Sequence, residues 1–548
     1  MNDKIPFLRI LLILFIPAVL LIGTCGAWDL RGPDEGRYVQ IAKELLHRNN
    51  WFLLTVHGEP YNQKPPLPFW MFALMLKLNG GNVSSWLLRL PSVIFALLTV
   101  FLTYAIGRRL FGPRAGLLSA LILLCSPLFL DNAPQAKLDM IFTGWIVLSL
   151  YPWLTRPGNR PLSLSRTLLL WGALSGAFFT KGPLAVIIVL AVLVTDSWKS
   201  GSWSTIIKDS RLLPGMACFF LLIGAWLWIQ SRNINPGFMV NQVRGQTINR
   251  FLHGSHGAPV WYYLPRLFTV MMIPWSLLLI PVVKNIWKKR GNLSGHVISM
   301  TGWFLLPFIL LCLAHGKRQE YMLPLVPPLS LLIGWKLDQW ADRVYPRLTK
   351  FFGMVFMGTG ASLTAVTLML ALRPEWLASQ QVNIESWQLA VTFISSLSLF
   401  IAGIILLGRI ARSAMFLVHT AAFFILFLAL VDFIIVRPSL DKRKSTRDFA
   451  LEIQRRFPEL ENGGGLTCVG KASKPEYHVY GQYHVIPAEA SETVTKDIER
   501  RHPLLIAREK DARNLQNVLA HKGYSAISEY VASGDNLVVF SQKKHDNP

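Results

Sequence analysis

The chain has 548 residues, of which 52% are hydrophobic and only 16% charged, and its mean hydropathy is +0.38. That balance excludes a soluble multidomain protein and places the sequence among integral membrane proteins. The formal net charge of +24 does not mark a nucleic-acid binder, because the cations are spread over many short segments instead of one basic domain. No nucleic-acid partner is expected, and the excess suits a protein that works against anionic membrane lipids.

Apolar runs of roughly 15 to 22 residues predict about thirteen transmembrane helices. In chain order they are 7–27, 85–107, 115–130, 138–155, 167–180, 182–197, 213–230, 267–287, 298–314, 322–337, 352–372, 388–408 and 414–436. Lys4 and Arg9 before the first run, and Ile22-Gly23-Thr24-Cys25 near its end, resemble a cleaved leader, but the run is read as a retained anchor. Lys and Arg collect at 4–9, 108–114, 156–166, 199–211, 284–290, 336–350 and 409–412, always in alternate connections. The positive-inside rule then sets the N-terminus in the cytoplasm. It leaves the 28–84 and 231–266 segments, the 315–321 turn and everything after 437 on the other side.

Residues 28–84 open with Arg31-Gly32-Pro33-Asp34-Glu35-Gly36-Arg37-Tyr38, two adjacent carboxylates at a membrane surface. Ionised groups held against a bilayer are costly, so such a cluster points to function. The same residues also suit an ordinary helix start, with Pro33 in the first turn and acids at the positive dipole end. A helix is expected over about 34–48, an extended piece over 51–56, and a break at Tyr61-Asn62-Gln63-Lys64-Pro65-Pro66. The apolar run 69–78 is too short to span and is expected to lie in the interface, roofing a cavity.

The 231–266 segment carries Arg232, Arg244, Arg250, His253, His256 and Arg266, with Trp261-Tyr262-Tyr263 as an interfacial anchor. After Pro438 the composition turns polar. Helix-like 446–456 and 511–521 alternate with strand-like 466–469, 504–507 and 537–541, which predicts a small α/β domain over 441–548. Gly463-Gly464-Gly465 is a turn and not a phosphate loop. Cys25, Cys125, Cys218 and Cys312 lie in or beside spans and Cys468 stands alone, so neither a disulfide framework nor a zinc spacing is present.

Charged residues recur at the ends of spans on the side of Asp34: Lys64, Lys137, Asp139, Lys181, Arg250, Lys317, Arg318 and Glu320. Lys137 and Lys181 could be snorkelling anchors and Asp139 a helix cap. Together, two acids and several cations facing one compartment suit transfer from a phosphate-linked donor. The cations would neutralise a leaving phosphate in a water-poor site, and a carboxylate would orient or deprotonate the acceptor.

Six ordered segments carry a family resemblance: Pro33-Asp34-Glu35 with Arg37-Tyr38; Lys64-Pro65; Leu138-Asp139; Thr180-Lys181-Gly182-Pro183; Asn249-Arg250-Phe251 before Trp261-Tyr262-Tyr263; and Lys317-Arg318 with Tyr321 and Pro324. In this order they resemble the GT-C glycosyltransferases, nearest the aminoarabinose lipid A transferases and related to the protein O-mannosyltransferases. The resemblance covers 1–440 and implies a GT-C α-helical polytopic membrane domain followed by a soluble α/β domain. It implies a bacterial inner-membrane enzyme that takes a sugar from undecaprenyl phosphate and places it, with inversion, on lipid A or a related envelope glycolipid in the periplasm.

Carried over by position, Asp34 is the principal catalytic carboxylate, with Glu35 beside it and Asp139 as the second acid. Lys64, Arg250 and Tyr321 hold the carrier phosphate, with Lys181 lining the same cavity. Arg37, Tyr38, Tyr61, Lys317 and Arg318 support them. The family pattern has Glu before the lysine of the Lys-Pro pair, whereas this chain has Gln63, which suits a cationic amino sugar or a metal less well. His253-Gly254-Ser255-His256 offers two metal-ligand types but no third nearby, so no cofactor is expected and a divalent ion is the minor alternative.

Two other functions fit parts of the pattern. A protein or glycan hydroxyl could replace the lipid acceptor, with Asp34 then acting as a base. A lipid-linked transporter would place ionisable groups at mid-membrane and on both faces, whereas the acids here gather at one.

Overall fold

The computed structural model describes residues 7–61, 63–158, 161–200, 212–233, 258–340, 346–373, 375, 385–408, 414–441, 445–458, 465–469, 479–480, 484–488, 504–521, 524–532 and 535–542. The chain begins with helices α1 (Phe7–Thr24), α2 (Gly32–Arg48), α3 (Leu67–Leu78), α4 (Ser85–Phe111), α5 (Pro113–Leu124), α6 (Pro127–Asn132), α7 (Leu138–Leu154), α8 (Leu164–Lys181) and α9 (Leu184–Ser200). It continues through α10 (Leu212–Asn233), α11 (Leu279–Lys288), α12 (Gly295–Leu313), α13 (Val326–Asp338), α14 (Pro346–Leu372), α15 (Ser386–Gly408) and α16 (Ala414–Val431). Each expected apolar run contains helix, and 115–130 is divided between α5 and α6 at Cys125-Ser126. Among the described residues, six helices are long and apolar enough to cross a bilayer, or seven if one bent pair forms a single crossing.

That bent pair corrects the expectation of a continuous helix over 267–287. Val260–Met271 and Trp275–Lys288 meet at 116°. Pro274 lies in the break, where it has no N–H to carry a helical ladder across it. The expected anchor Trp261-Tyr262-Tyr263 divides in two: Trp261 is exposed and Tyr263 is buried.

The bundle packs through close backbone approaches where side chains are absent. A Cβ at Gly360 of α14 would meet the Phe400 backbone nitrogen of α15 at 2.4 Å, and one at Gly403 would meet the Met357 nitrogen at 2.3 Å. Small residues let apolar helices associate closely when lipid removes any hydrophobic drive between them. Large apolar residues cover the outside instead, with Leu221 of α10 72% exposed and Leu372 of α14 73% exposed.

A second apolar core positions the site. Tyr38, Val39, Ile41, Ala42 and Leu45 of α2 pack on Phe69, Phe72, Ala73 and Leu76 of α3, and both seat on Leu88, Phe95, Leu138 and Ile141. This roof over the starts of α4 and α7 is what the short 69–78 run predicts. Of the extended piece expected over 51–56 only β1 (Thr55–Val56) is strand, and it pairs with β2 (Glu59–Pro60) in a β-hairpin. Helix α2 starts as its sequence dictates: Gly32 takes a φ of +72°, Pro33 enters the first turn, and Asp34 and Glu35 sit at the positive dipole end. It stops at Asn49, left-handed at φ 49°, after His47 and Arg48.

After residue 441, α17 (Arg447–Arg456), β3 (Gly465–Val469), β4 (His484–Ala488), β5 (Leu504–Arg508), α18 (Glu509–His521), β6 (Tyr524–Ala532) and β7 (Asp535–Gln542) follow. The strands form one sheet in the order β4-β3-β5-β7-β6. The β3 pairings are parallel, and β7 runs antiparallel to both β5 and β6. Leu504 and Ile506 face the α17 side with Phe449 and Ile453, while Leu505 and Ala507 face α18 with Leu519, so both faces of β5 are covered. The edge strands β4 and β6 add to the strands expected. β6 carries Ser525, Ser528 and Glu529, with a register shift between Ala526 and Ser528, and gives no clean apolar alternation.

Candidate active site

Adjacent on the first turn of α2, Asp34 and Glu35 point about 100° apart and meet different surroundings. Glu35 turns into protein. Its Oε1 accepts from Arg89 Nε at 3.0 Å and from the Ala136 N–H at 2.7 Å, and its Oε2 accepts from Arg89 Nη2 at 3.0 Å and the Arg31 N–H at 2.9 Å. Arg89 also donates to the carbonyls of Cys25, Trp28 and Asp29 at 2.8, 2.8 and 2.7 Å. Burial alone would raise the Glu35 pKa, but the Arg89 charge and these hydrogen bonds outweigh it and hold the carboxyl below its ordinary 4.5. The expectation of Glu35 as a catalytic acid is therefore corrected. With both oxygens engaged and 2% exposure, it ties the α2 start to the beginnings of α4 and α7.

Asp34 is also buried but points toward the 318–321 turn. Arg318 Nη2 donates to its Oδ2 at 2.6 Å, and Arg37 Nη2 lies 3.8 Å from its Oδ1. Burial pulls the Arg318 pKa down, but the hydrogen bond and charge of Asp34 more than reverse that, and the guanidinium stays charged. Tyr38, one turn further along α2, is buried, and burial followed by the charge of Asp34 pushes its hydroxyl well above 10.0; Tyr61 and Asp139 add to this. It stays protonated, within electrostatic reach of both Asp34 and Asp139.

Asp139, in the first turn of α7, ion-pairs with Lys181 at the end of α8. The Lys181 ammonium also sits 4.9 Å from the Tyr321 ring centroid and 5.5 Å from that of Phe142. Lys64 and Lys137 both lie within electrostatic reach of Asp139. A single turn, 318–321, joins the two acids: Arg318 reaches Asp34, Glu320 lies 3.8 Å from both Lys137 and Arg318, and Tyr321 covers Lys181.

Lys317 is 5% exposed and donates to the carbonyls of Ala258 and Ala314, fastening the 315–321 turn. Tyr61 is buried edge-on against Phe69 at 5.7 Å. Arg250, His253 and His256 lie outside the described residues. Among the described residues no group of three or more His, Cys, Asp or Glu side chains could hold a metal ion.

Arg89 is the residue that sequence reasoning missed, and its signal was present as a cation one turn inside an apolar run. A second network, also unforeseen, ties the site loop to the segment after α16. Arg31 pairs with Asp441, Asp29 with Arg447 at 3.1 Å, and the Leu30 N–H donates to Tyr480 Oη at 2.8 Å.

Residues 63–228 match the family described as dolichyl-phosphate-mannose-protein mannosyltransferase. The chain is 30% identical over 399 residues to undecaprenyl phosphate-alpha-4-amino-4-deoxy-L-arabinose arabinosyl transferase 1 of Pseudomonas fluorescens strain Pf0-1, covering 71% of this chain and 67% of the relative. The enzyme of the same name from strain Pf-5 is 31% identical over 403 residues, covering 72% and 70%. The chain belongs to this arabinosyl transferase family. It is a membrane glycosyltransferase. Its fold matches the crystal structure of ArnT from Cupriavidus metallidurans bound to undecaprenyl phosphate, with a TM-score of 0.72 at 20% identity over 98% of this chain and 99% of that one. An oligosaccharyltransferase from Archaeoglobus fulgidus shares the fold more distantly, with a TM-score of 0.52 at 12% identity over 99% and 75%.

Proposed function

We propose that this enzyme transfers a sugar from undecaprenyl phosphate to a phosphate of lipid A, or of a related envelope glycolipid, on the periplasmic side of the inner membrane. The relatives' names point to 4-amino-4-deoxy-L-arabinose, while Gln63 departs from the pattern that suits its amino group. The observation that carries this reading is the 318–321 turn, which gathers Asp34, Asp139, Lys181 and Tyr321 at one end of the bundle. The family names of the relatives supply the donor. The acceptor follows from the resemblance, and a protein or glycan hydroxyl is the alternative.

An acceptor oxygen attacks the anomeric carbon as the bond from that carbon to the carrier phosphate breaks, and undecaprenyl phosphate leaves with the bonding pair. One displacement inverts the sugar. Lys64, Lys181, Arg250 and Tyr321 hold the departing phosphate, whose charge they neutralise in a water-poor site. Asp34 orients the acceptor and balances charge there when the acceptor is a phosphate, and takes the proton when it is a hydroxyl. Tyr38 donates from the α2 face, and Arg37 and Arg318 hold Asp34 in place. In this reading the N-terminus is cytoplasmic, about thirteen segments cross the bilayer, and residues 441–548 form a periplasmic α/β domain.

The test is transfer of radiolabelled sugar from purified undecaprenyl-phosphate donor to lipid A in detergent. Labelled lipid A is the expected product. If no polyprenyl-linked donor is consumed with any acceptor the reading fails, and consumption only with protein or oligosaccharide acceptors transfers it to the alternative. Lys64→Ala is expected to raise the donor KM by about ten-fold, as loss of a charge-assisted contact to phosphate costs about 1.5–3 kcal/mol. Initial rates against donor concentration check it. Lys and Arg supply the cations, so dialysis against a chelator is expected to leave the rate within about two-fold, whereas a metal-generated nucleophile would be lost.

A further inference from the structure

At the far end of α4 from Asp34 and Glu35 lies a second cavity. Helix α4 (Ser85–Phe111) meets Glu35 through Arg89 near its start, and Arg109 stands twenty residues further along it, about 30 Å away at about 1.5 Å per residue. There the ends of α4, α7 and α9 and the start of α12 enclose a cavity of about 280 Å³, lined by Arg109, Arg156, Asp196, His296 and the apolar Leu110 and Leu154.

Asp196 is already satisfied. It accepts from Arg156 Nη2 at 2.6 Å, Trp153 Nε1 at 3.0 Å and Ser299 Oγ at 2.7 Å. The Arg156 guanidinium is pinned 4.0 Å over the Trp153 ring, so this pair makes a fixed, nearly buried wall. Arg109 and His296 are both exposed, and neither has an ion pair among the described residues. The nineteen-residue α12, capped by Ser294, opens its N-terminus into the same space, which adds positive dipole to the Arg109 charge.

Two exposed tryptophans stand near the cavity. Trp198, two residues beyond Asp196, is 74% exposed, and Trp287 on the same side is 71% exposed. Exposed tryptophans mark the membrane interface. A cationic recess between helix ends at that level fits the phosphodiester of a lipid better than a dissolved anion.

We propose that this cavity binds the phosphate of an anionic phospholipid in the leaflet opposite the transfer site. Arg109 and the α12 N-terminus contact its oxygens, His296 closes the rim, and the Arg156–Asp196 pair holds the recess open. The inference does not depend on the identity of the sugar acceptor.

The full chain, purified in a zwitterionic detergent, is titrated with phosphatidylglycerol or phosphatidylcholine and read by native mass spectrometry and thermal unfolding. Wild type is expected to retain phosphatidylglycerol selectively. Arg109→Glu is expected to weaken that retention by about ten-fold, since each basic group near a lipid surface contributes about 1 kcal/mol and the swap adds repulsion. His296→Gln is expected to weaken it by a few-fold. Arg290→Glu, on the same side but outside the cavity, is expected to change it by less than two-fold. Equal losses for Arg109→Glu and Arg290→Glu would mean diffuse charge attraction and overturn the site. So would unchanged retention in Arg109→Glu, or displacement of the lipid by millimolar inorganic phosphate. Sugar transfer measured on the same samples should remain at the wild-type rate, which separates this outcome from a failure of the transferase reading.

Discussion

Asp34→Asn is expected to lower kcat by about 10²–10⁴ while donor KM stays within a few-fold, which is the range a positioned carboxylate contributes to group transfer. The substitution keeps the shape of the side chain and one oxygen able to accept from Arg318 Nη2, now 2.6 Å from Oδ2. The Arg318 side chain is 37% exposed, so water can solvate the guanidinium when its counter-charge goes. The cations assigned to the donor phosphate, Lys64, Lys181 and Arg250, are untouched. The loss therefore falls on the chemical step and not on donor binding or folding. Rates measured across both donor and acceptor concentrations, with matched thermal unfolding, check the split. A variant that retains more than a tenth of wild-type kcat would remove Asp34 from the reaction. Arg318→Gln should show a smaller loss, about ten-fold, because Arg37 still stands 3.8 Å from the other Asp34 oxygen.

The parts of this architecture that were legible in the sequence are those set by local periodicity and by membrane cost. Apolar runs gave the helices, the short 69–78 run gave the roof, and Pro33-Asp34-Glu35 gave the start of α2. The clustering of ionisable residues at alternate span ends placed Asp34, Asp139, Lys181 and the 315–321 turn on one side before any contact was known. What sequence could not separate was neighbours on one helix. Asp34 and Glu35 are equivalent as letters, yet a rotation of about 100° sends one toward Arg318 and the other into Arg89. Arg89 and Asp441 escaped notice for the opposite reason: their partners lie 54 and 410 positions away, and no local pattern encodes such a pairing. The bend at Pro274 was hidden inside a run whose composition alone reads as continuous.

Arg89→Met is expected to destabilise the protein by about 3–5 kcal/mol, the penalty for leaving one member of a buried ion pair without its partner. Replacing both members of a simple buried pair with apolar residues is often neutral, but Glu35→Leu combined with Arg89→Met should remain well below wild type here. Arg89 serves three carbonyls, at Cys25, Trp28 and Asp29, and Glu35 serves the N–H groups of Arg31 and Ala136. Each buried group left unmatched costs about 1–3 kcal/mol, so a double variant as stable as wild type would reduce this network to a replaceable pair. The pH dependence has a defined sign. The Glu35 pKa is held below its ordinary 4.5 in the folded chain, so its contribution is complete above that value and is lost as pH falls through the lower folded value. Glu35→Gln should therefore flatten the acid limb of the stability profile below 4.5 and lower the plateau above it, measured by thermal unfolding across pH in detergent. Transfer by the same variant should fall through misplacement of Asp34, with kcat reduced and the donor KM retained, because Glu35 acts on the reaction only by fixing the turn that carries its neighbour.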